Sequence, residues 1–470
     1  MARSPILLAT VLSATLVSTV ARAQSEQAHA QDVASTPPDV VTTPPANGEP
    51  SPKRRLPDYE GRPPVADPDD GVGLWLLRIL LSPLYFTSEL ILRRPIGAMT
   101  IAAERAEIPR KLYNFFVFGP DHKLGFVPAA FIEFGFNPSV GIYGWWNDAF
   151  TLPNNDLQLH YEVWPTDWLA GSITERIYFH EREHSLLLRV SGVRRPDRVF
   201  YGLGPRSLQS SESRYTVTSF DARASLDMHV WRSSRVETTV GLRKLGTSPG
   251  DYAPDPSLEQ AAAAGVFALP YGFNQNYLDP YGRVRAAFDT RRENATTGSG
   301  VRLEVWGEEG NDVAHSPTSS WVRWGGDATV FVDLNDHGRI LSLSAAALFA
   351  DPLGNQPIPF TELVMLGGDV WMRGYFEGRL LDRSAVVAQL RYGWPVAPWL
   401  NGTIQGAVGN VFGEHLTDFK PGLLRVSAAI GLSTTINPPI ELLAGFGSEP
   451  FEDGATIDSF RLSFGVPLSF

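Results

Sequence analysis

The chain has 470 residues, 43% of them hydrophobic, with 40 Lys+Arg against 51 Asp+Glu for a formal net charge of −11, and no cysteine. That length can bury a large core, which excludes a small stapled scaffold, and the missing thiols exclude Cys-based catalysis, disulfide frameworks, iron–sulfur clusters and Cys-based zinc sites. The acidic balance argues against nucleic acid as a partner, and a mean hydropathy of −0.10 is too polar for a helical membrane protein but suits a transmembrane barrel, in which only alternate residues face lipid.

Residues 1–23 carry Arg3, an apolar run Ile6–Val20 and then Ala21-Arg22-Ala23, the layout of a secretory signal peptide. The run is shorter than the roughly 20 residues a spanning helix needs. No cysteine follows, so no lipoprotein anchor is expected. Residues 24–70 hold Pro37, Pro38, Pro44, Pro45, Pro50 and further prolines among Ser, Thr, Asp and Glu; a disordered or extended Pro-rich linker is expected. Residues 71–118 change character. Leu74, Trp75, Leu77, Ile79 and Leu84–Leu92 recur at spacings that include three and four, and Pro83 divides them. The pattern predicts short amphipathic helices near residues 72–92 and 97–114. Arg78, Glu89 and Pro83 make a spanning helix costly, so an interfacial or barrel-associated position is expected.

From Leu124 the period becomes two. In Leu157-Gln158-Leu159-His160-Tyr161-Glu162-Val163 and Val301-Arg302-Leu303-Glu304-Val305 apolar and polar side chains alternate. Alternation alone does not say which face is wet. Length and number do: about sixteen stretches of about ten residues match tilted membrane strands. They start near residues 124, 138, 156, 170, 185, 214, 235, 279, 298, 320, 338, 381, 400, 422, 438 and 457. So many antiparallel strands without edge protection would aggregate, and closure removes the edges. The fold class expected for residues 119–470 is an all-β transmembrane, about 16-stranded antiparallel outer-membrane β-barrel, polar inside and apolar outside. With both strand ends in the periplasm, odd-to-even connections point outward. The long gaps Arg194–Ser213, Gly246–Asp279 and Asp351–Leu380 fall there, and Asp289–Gly298 falls on the short-turn side.

The C-terminus, Ser463-Phe464-Gly465-Val466-Pro467-Leu468-Ser469-Phe470, resembles the recognition signal of outer-membrane barrels, with Gly465, Leu468 and Phe470 at its signature positions. An edge strand of this kind can pair transiently with the barrel assembly machinery during the chain's own insertion. Pro467, lacking an N–H, is tolerated on only one side of a closing strand.

Several segments together resemble the bacterial surface-antigen superfamily of outer-membrane barrels, which includes the central subunit of the barrel assembly machine, the translocation and assembly module and two-partner secretion transporters. They are Ile358-Pro359-Phe360-Thr361-Glu362-Leu363, Leu366-Gly367-Gly368, Met372-Arg373-Gly374-Tyr375-Phe376-Glu377-Gly378-Arg379, Phe200-Tyr201-Gly202-Leu203-Gly204, Asp289-Thr290-Arg291 and Gly409-Asn410-Val411-Phe412. The resemblance covers roughly residues 124–470. It implies that Arg373, Gly374 and Tyr375 form the tip of a sixth outward loop that folds back into the lumen. It also implies a role in membrane-protein insertion or translocation, with outer-membrane lipids and client outer-membrane or secreted proteins as partners. Two departures stand out. The family's carboxylates on strands twelve and thirteen are replaced here by Gln389 and Ala407. A buried arginine without a charged partner is costly, so Gln389, Glu362, Asp369 and Glu377 are the candidate partners of Arg373. Residues 24–70 are also too short and too Pro-rich for the family's periplasmic POTRA domains, as expected of a truncated branch.

His180-Glu181-Arg182-Glu183-His184 matches the HExxH metalloprotease pattern, which needs a helix to bring both imidazoles to one zinc. Its flanks read as strands, and four residues of strand span about 13 Å, so a charged periplasmic turn is expected. No G-x-S-x-G elbow accompanies the nine histidines; His160 and His229 are expected to line a polar lumen. Neither catalysis nor a cofactor or metal is expected. Two non-enzymatic readings remain open: a barrel whose weak seam between strands one and sixteen assists insertion or translocation, and a passive or gated pore.

Overall fold

The computed structural model describes residues 82, 94–105, 111, 114–119 and 121–466, except 165–166, 293–297, 335–337, 398 and 437. The signal-peptide and linker segments, nearly all of the 72–92 helix, and Leu468 and Phe470 lie outside the described residues. The barrel belongs to the unit Pro57–Phe470.

Sixteen strands form the wall: β1 (Leu124–Glu133), β2 (Ser139–Asn147), β3 (Asn155–Trp164), β4 (Trp168–Phe179), β5 (His184–Phe200), β6 (Ser213–Trp231), β7 (Ser234–Pro249), β8 (Asn276–Asp289), β9 (Gly300–Asn311), β10 (Ser320–Asp333), β11 (Ile340–Pro352), β12 (Ser384–Ala397), β13 (Leu400–Phe412), β14 (Arg425–Thr434), β15 (Glu441–Ser448) and β16 (Ile457–Gly465). Each pairs antiparallel with its sequence neighbours, and β16 pairs with β1 to close the ring. All sixteen begin within three residues of the positions read from the alternation.

The faces follow the period. On β3, Leu159 and Tyr161 are exposed while His160 and Glu162 are buried; on β9, Leu303 and Val305 point out and Glu304 points in. Among the described residues the outer apolar side chains are largely exposed, as in a belt that a bilayer covers. Ring pairs lie on this outer face, Trp231 stacked on Phe288 near one rim and Trp324 on Phe349 near the other.

The four longest connections share one rim. At one rim, the loop rim, lie the long connections 201–212, 250–275, 353–383 and 413–424; at the opposite turn rim lie 180–183, 232–233 and 398–399, with 290–299 the longest. The loop 250–275 holds a short helix (Leu258–Ala263) closed by a Ser257/Gln260 capping box. The helix Arg94–Arg105 starts with Pro95 in its first turn, where no intrahelical N–H is lost. It begins three residues before the expected 97. Its Ile96 packs at the turn rim with the cluster Leu334, Tyr392, Trp394 and Leu400.

Candidate functional site

The longest connection, 353–383, folds into the barrel and crosses it. Its two arms, Val364–Leu366 and Leu380–Asp382, pair as a small hairpin, and Gly367 and Gly368 take positive φ where a side chain would strike Phe376 and Glu377. Phe360, Leu366, Met372, Tyr375 and Leu380 are buried in one cluster with Ala385 and Val411 of the wall. One side of the loop is held by charge. Glu362 accepts from Arg243 at 3.0 Å and from Tyr277 Oη at 2.5 Å, and lies 3.2 Å from Arg323. Arg243, Arg283 and Arg323 also converge on Glu308, so β7 to β10 and the loop share one buried network. Its guanidiniums and carboxylates are mutually compensating, so deleting one strands the others in a low-dielectric site.

The tip reaches the opposite wall. Gly374 N donates to Ser427 Oγ (2.8 Å), Ser459 Oγ donates to Gly374 O (3.1 Å), and a Cβ on Gly374 would lie 1.9 Å from Phe446 O. Only glycine allows that approach. Tyr375 Oη, fully buried, donates to Ser448 O (2.6 Å) and accepts from Ser448 N (2.7 Å). Arg373 donates to Glu441 Oε2 on β15 at 2.5 Å. None of the four expected partners holds it. Gln389 faces Ala407 across the β12–β13 ladder and its Oε1 has no hydrogen-bond partner. Glu362 serves Arg243, Asp369 serves Arg461, and Glu377 serves Arg198. Gly374 sits against the β15 backbone at Phe446, and the preceding side chain reaches Glu441 of that same strand.

A second clamp binds the loop base. Arg379 and Arg425, both buried, share Asp458 Oδ2 at 3.0 and 3.1 Å. Both also donate to Ser207 O, and the Arg379 guanidinium lies 4.5 Å from the Tyr201 ring centre. The Phe200–Gly204 motif therefore works here: Gly202 and Gly204 take positive φ, and Gly204 N donates to Leu381 O at 3.0 Å. Asn410 Nδ2 donates to Pro205 O and Leu423 O. Arg379, Arg425, Asp458, Glu441 and Glu308 escaped sequence reasoning. Each sits on the polar side of an alternating strand or in the loop, where alternation marks the lumen but not which charges meet.

Among the described residues, the seam is the thinnest part of the wall: β16 and β1 share three register pairs, Ser463 with Glu133, Phe464 with Ile132 and Gly465 with Phe131, and the next shortest ladder, β14–β15, has seven. Two further backbone bonds flank them, Phe134 N to Leu462 O and Val466 N to Ala130 O, each 3.0 Å. These bonds show that even-numbered residues of β1 turn their backbone groups to the seam. Pro128 has that parity, so the edge lacks a donor there. On β16, Phe464 points out whereas Val466 is buried with Ala129 and Tyr143 inside. The reversal occurs at Gly465, whose φ of +131 only glycine takes freely. In the lumen, Arg461 ties the seam to the loop, donating to Glu133 Oε1 (2.6 Å), Gly368 O (2.6 Å) and Asp369 Oδ1 (2.8 Å).

The HExxH segment forms the turn between β4 and β5, with His180, Glu181 and Arg182 at positive φ. Glu181, Arg182, His229 and Asp289 help line a cavity of about 690 Å³ at the turn rim. His160 bonds Glu162 inside the wall at 2.8 Å. Among the described residues, Asp351, Glu414 and His415 also come together, but Arg383 already bridges the two carboxylates.

Residues 169–435 match the family model of the Omp85 superfamily domain. The chain belongs to the Omp85 superfamily. The surface-antigen resemblance thus holds at family level. Among solved structures, the barrel is similar to BamA from Haemophilus ducreyi lacking POTRA domains 1–3, at 14% identity and a TM-score of 0.50, over 73% of this chain and 70% of that one. It is also similar to CdiB from Acinetobacter baumannii (14% identity, TM-score 0.45, 74% of this chain and 60% of that one) and CdiB from Escherichia coli (13%, 0.45, 74% and 64%). The match spans less than two thirds of either CdiB chain. No curated protein matches.

Proposed function

We propose that this Omp85-superfamily barrel resides in the bacterial outer membrane and assists insertion or translocation of client proteins, without covalent catalysis, by opening its wall between β1 and β16. The loop rim then faces outward and the turn rim faces the periplasm. The carrying observation is the seam, which among the described residues has three register pairs and meets Pro128, a residue without an N–H, on its β1 edge. A strand edge freed there offers N–H and C=O groups to an incoming strand by β-augmentation. The loop that spans the lumen and is tied at both walls argues against a passive open pore.

The chain has no native cysteine, so a disulfide can be placed in the seam alone. Ile132 and Phe464 form a register pair whose even parity makes it hydrogen-bonded, with Cα atoms about 5.5 Å apart, within disulfide reach. The full chain carrying Ile132→Cys and Phe464→Cys, in phosphatidylethanolamine/phosphatidylglycerol vesicles, should insert an added unfolded barrel protein when reduced and lose that activity when oxidised. Equal insertion in both states would overturn the reading. Large steady conductance in planar bilayers with no insertion activity would favour the pore.

A further inference from the structure

The outward row of β12 changes character near the turn rim. Leu390 is 50% exposed, but Tyr392 and Trp394, next in the same row, are 7% and 5% exposed. Register sets Leu341 of β11 and Ile404 of β13 beside Tyr392, and Leu432 of β14 in line with Trp394 across Gly402, so this cluster lies on the outer face. The two rings stack at 5.4 Å, and Trp394 lies against Gly402, where a Cβ would come within 2.4 Å of the indole. Tyr and Trp at a membrane interface ordinarily meet headgroups. Here Ile96, in the first turn of the helix Arg94–Arg105, packs against the cluster. Further along the chain the same segment meets β1. Val117 pairs with Gly125 and Phe118 with Leu124. Phe118 also stacks on the outward ring of Phe126 at 5.2 Å, and Phe116 meets that ring edge-on at 6.4 Å.

We propose that residues 94–118 are a strap tying β1 to the outer face of β11–β14, and that lifting the helix off Tyr392 and Trp394 is the step that frees the seam to open fully. The inference rests on the seam-opening function, because it names a restraint on that motion. The seam lies between the two anchors: β15 and β16 separate it from β14, and β1 is its far side. Parting β1 from β16 therefore moves the anchors apart, by about 5 Å for each strand admitted. The helix contact is the one to give, since apolar packing is non-directional whereas the β1 anchor adds strand pairing. Arg461 ties the seam from the lumen; the strap ties it from the lipid side.

The test uses the full chain in phosphatidylethanolamine/phosphatidylglycerol vesicles doped with a diazirine-bearing phospholipid. Two readouts are taken: lipid adducts at Tyr392 and Trp394, and hydrogen exchange of the Phe134 and Val466 amides, which bond across the seam. Ile96→Asp unseats the helix. Adducts should appear at both rings, and exchange at the seam should rise about tenfold, the equivalent of releasing one half-buried isoleucine. A ten-residue Gly/Ser insertion between residues 107 and 108 keeps both anchors but adds roughly 17 Å of slack. It should raise seam exchange to a similar degree while Tyr392 and Trp394 stay shielded, a result that simple packing of the helix does not give. Wild-type seam exchange in either variant, or no new adducts in Ile96→Asp, would overturn the proposal. If the strap fails in this way while the oxidised Ile132→Cys/Phe464→Cys lock still abolishes insertion, the seam function stands without it.

Discussion

Arg461→Gln should loosen the seam more than any other single change in the wall. Arg461 is 3% exposed and makes three charge-assisted or carbonyl bonds, of which the one to Glu133 crosses from β16 to β1. Removing it leaves Glu133, itself 7% exposed, with Arg195 at 3.9 Å as its remaining guanidinium neighbour. Breaking a buried ion pair by deleting one partner costs about 3–5 kcal/mol; the Arg195 contact and the polar lumen place this case at the lower end, about 3 kcal/mol. Among the described residues the seam ladder consists of a few backbone bonds, each worth about 1 kcal/mol net, so the lost pair is comparable to that ladder. At about 1.4 kcal/mol per factor of ten, the open population should rise about 100-fold. Hydrogen exchange of the Phe134 and Val466 amides reads this directly, because both bond across the seam. Their protection should fall by about two orders of magnitude, while amides of the β6–β7 ladder keep theirs. Unchanged seam protection, or an equal loss around the whole ring, would refute the assignment of Arg461 as the tie between loop and seam.

Other outcomes follow from the loop. Tyr375→Phe leaves the buried Ser448 N–H without its acceptor and should destabilise the barrel by about 1–3 kcal/mol, measured by urea unfolding in lipid vesicles with tryptophan fluorescence. Asp458→Asn removes the one carboxylate shared by two buried guanidiniums; about 3 kcal/mol should be lost, since both arginines keep carbonyl partners, and adding Arg379→Gln should recover part of it. Gly374→Ala places a methyl inside Phe446 O, so the tip must lift off β15 and heat-modifiable gel mobility should change at a lower temperature. The Arg198 guanidinium holds the Glu377 carboxyl below its ordinary range. That pair therefore stabilises the loop above the ordinary carboxylate pKa and is lost as pH falls through the lowered value. With Glu377 half exposed, the effect is under about 1 kcal/mol, and Glu377→Gln should flatten that part of the pH–stability curve.

The architecture was legible because a barrel in a bilayer imposes period two on every strand: Leu159 and Glu162 announce their faces without knowledge of their neighbours. Loop parity was legible for a similar reason, since one rim carries the folded-in connections. The pairing of charges was not. Alternation puts Arg461, Arg425, Glu441 and Asp458 on the inner face, but which of them meet depends on strand stagger and on where the loop lands. Arg373 shows the consequence: the partners nearest in sequence, Glu362, Asp369 and Glu377, are each drawn to a different arginine, while the actual partner lies on β15. The one-sided seam was half legible. Gly465 and Pro467 mark the closing strand in the sequence, Pro467 lying outside the described residues, but that Pro128 faces β16 is a property of the closed ring.

The distribution of these ties limits how the wall can open. The loop tip is bonded to Ser427, Ser448 and Ser459, on or beside β14, β15 and β16, and its base reaches Asp458 on β16. Those strands form a block braced from inside. The β1 side is held less: the described ties to the loop are the Glu133–Arg461 bond and, beside β1, the edge-on contact of Phe376 with Phe136. Opening is therefore expected to move β1, together with its neighbour β2, away from a fixed β16. Spin labels at residues 126 and 446, both outward-facing, should then show a longer and broader distance distribution in Arg461→Gln, while a pair at 446 and 460 keeps its spacing. Movement of 460 relative to 446, with 126 fixed, would place the hinge on the opposite side of the seam.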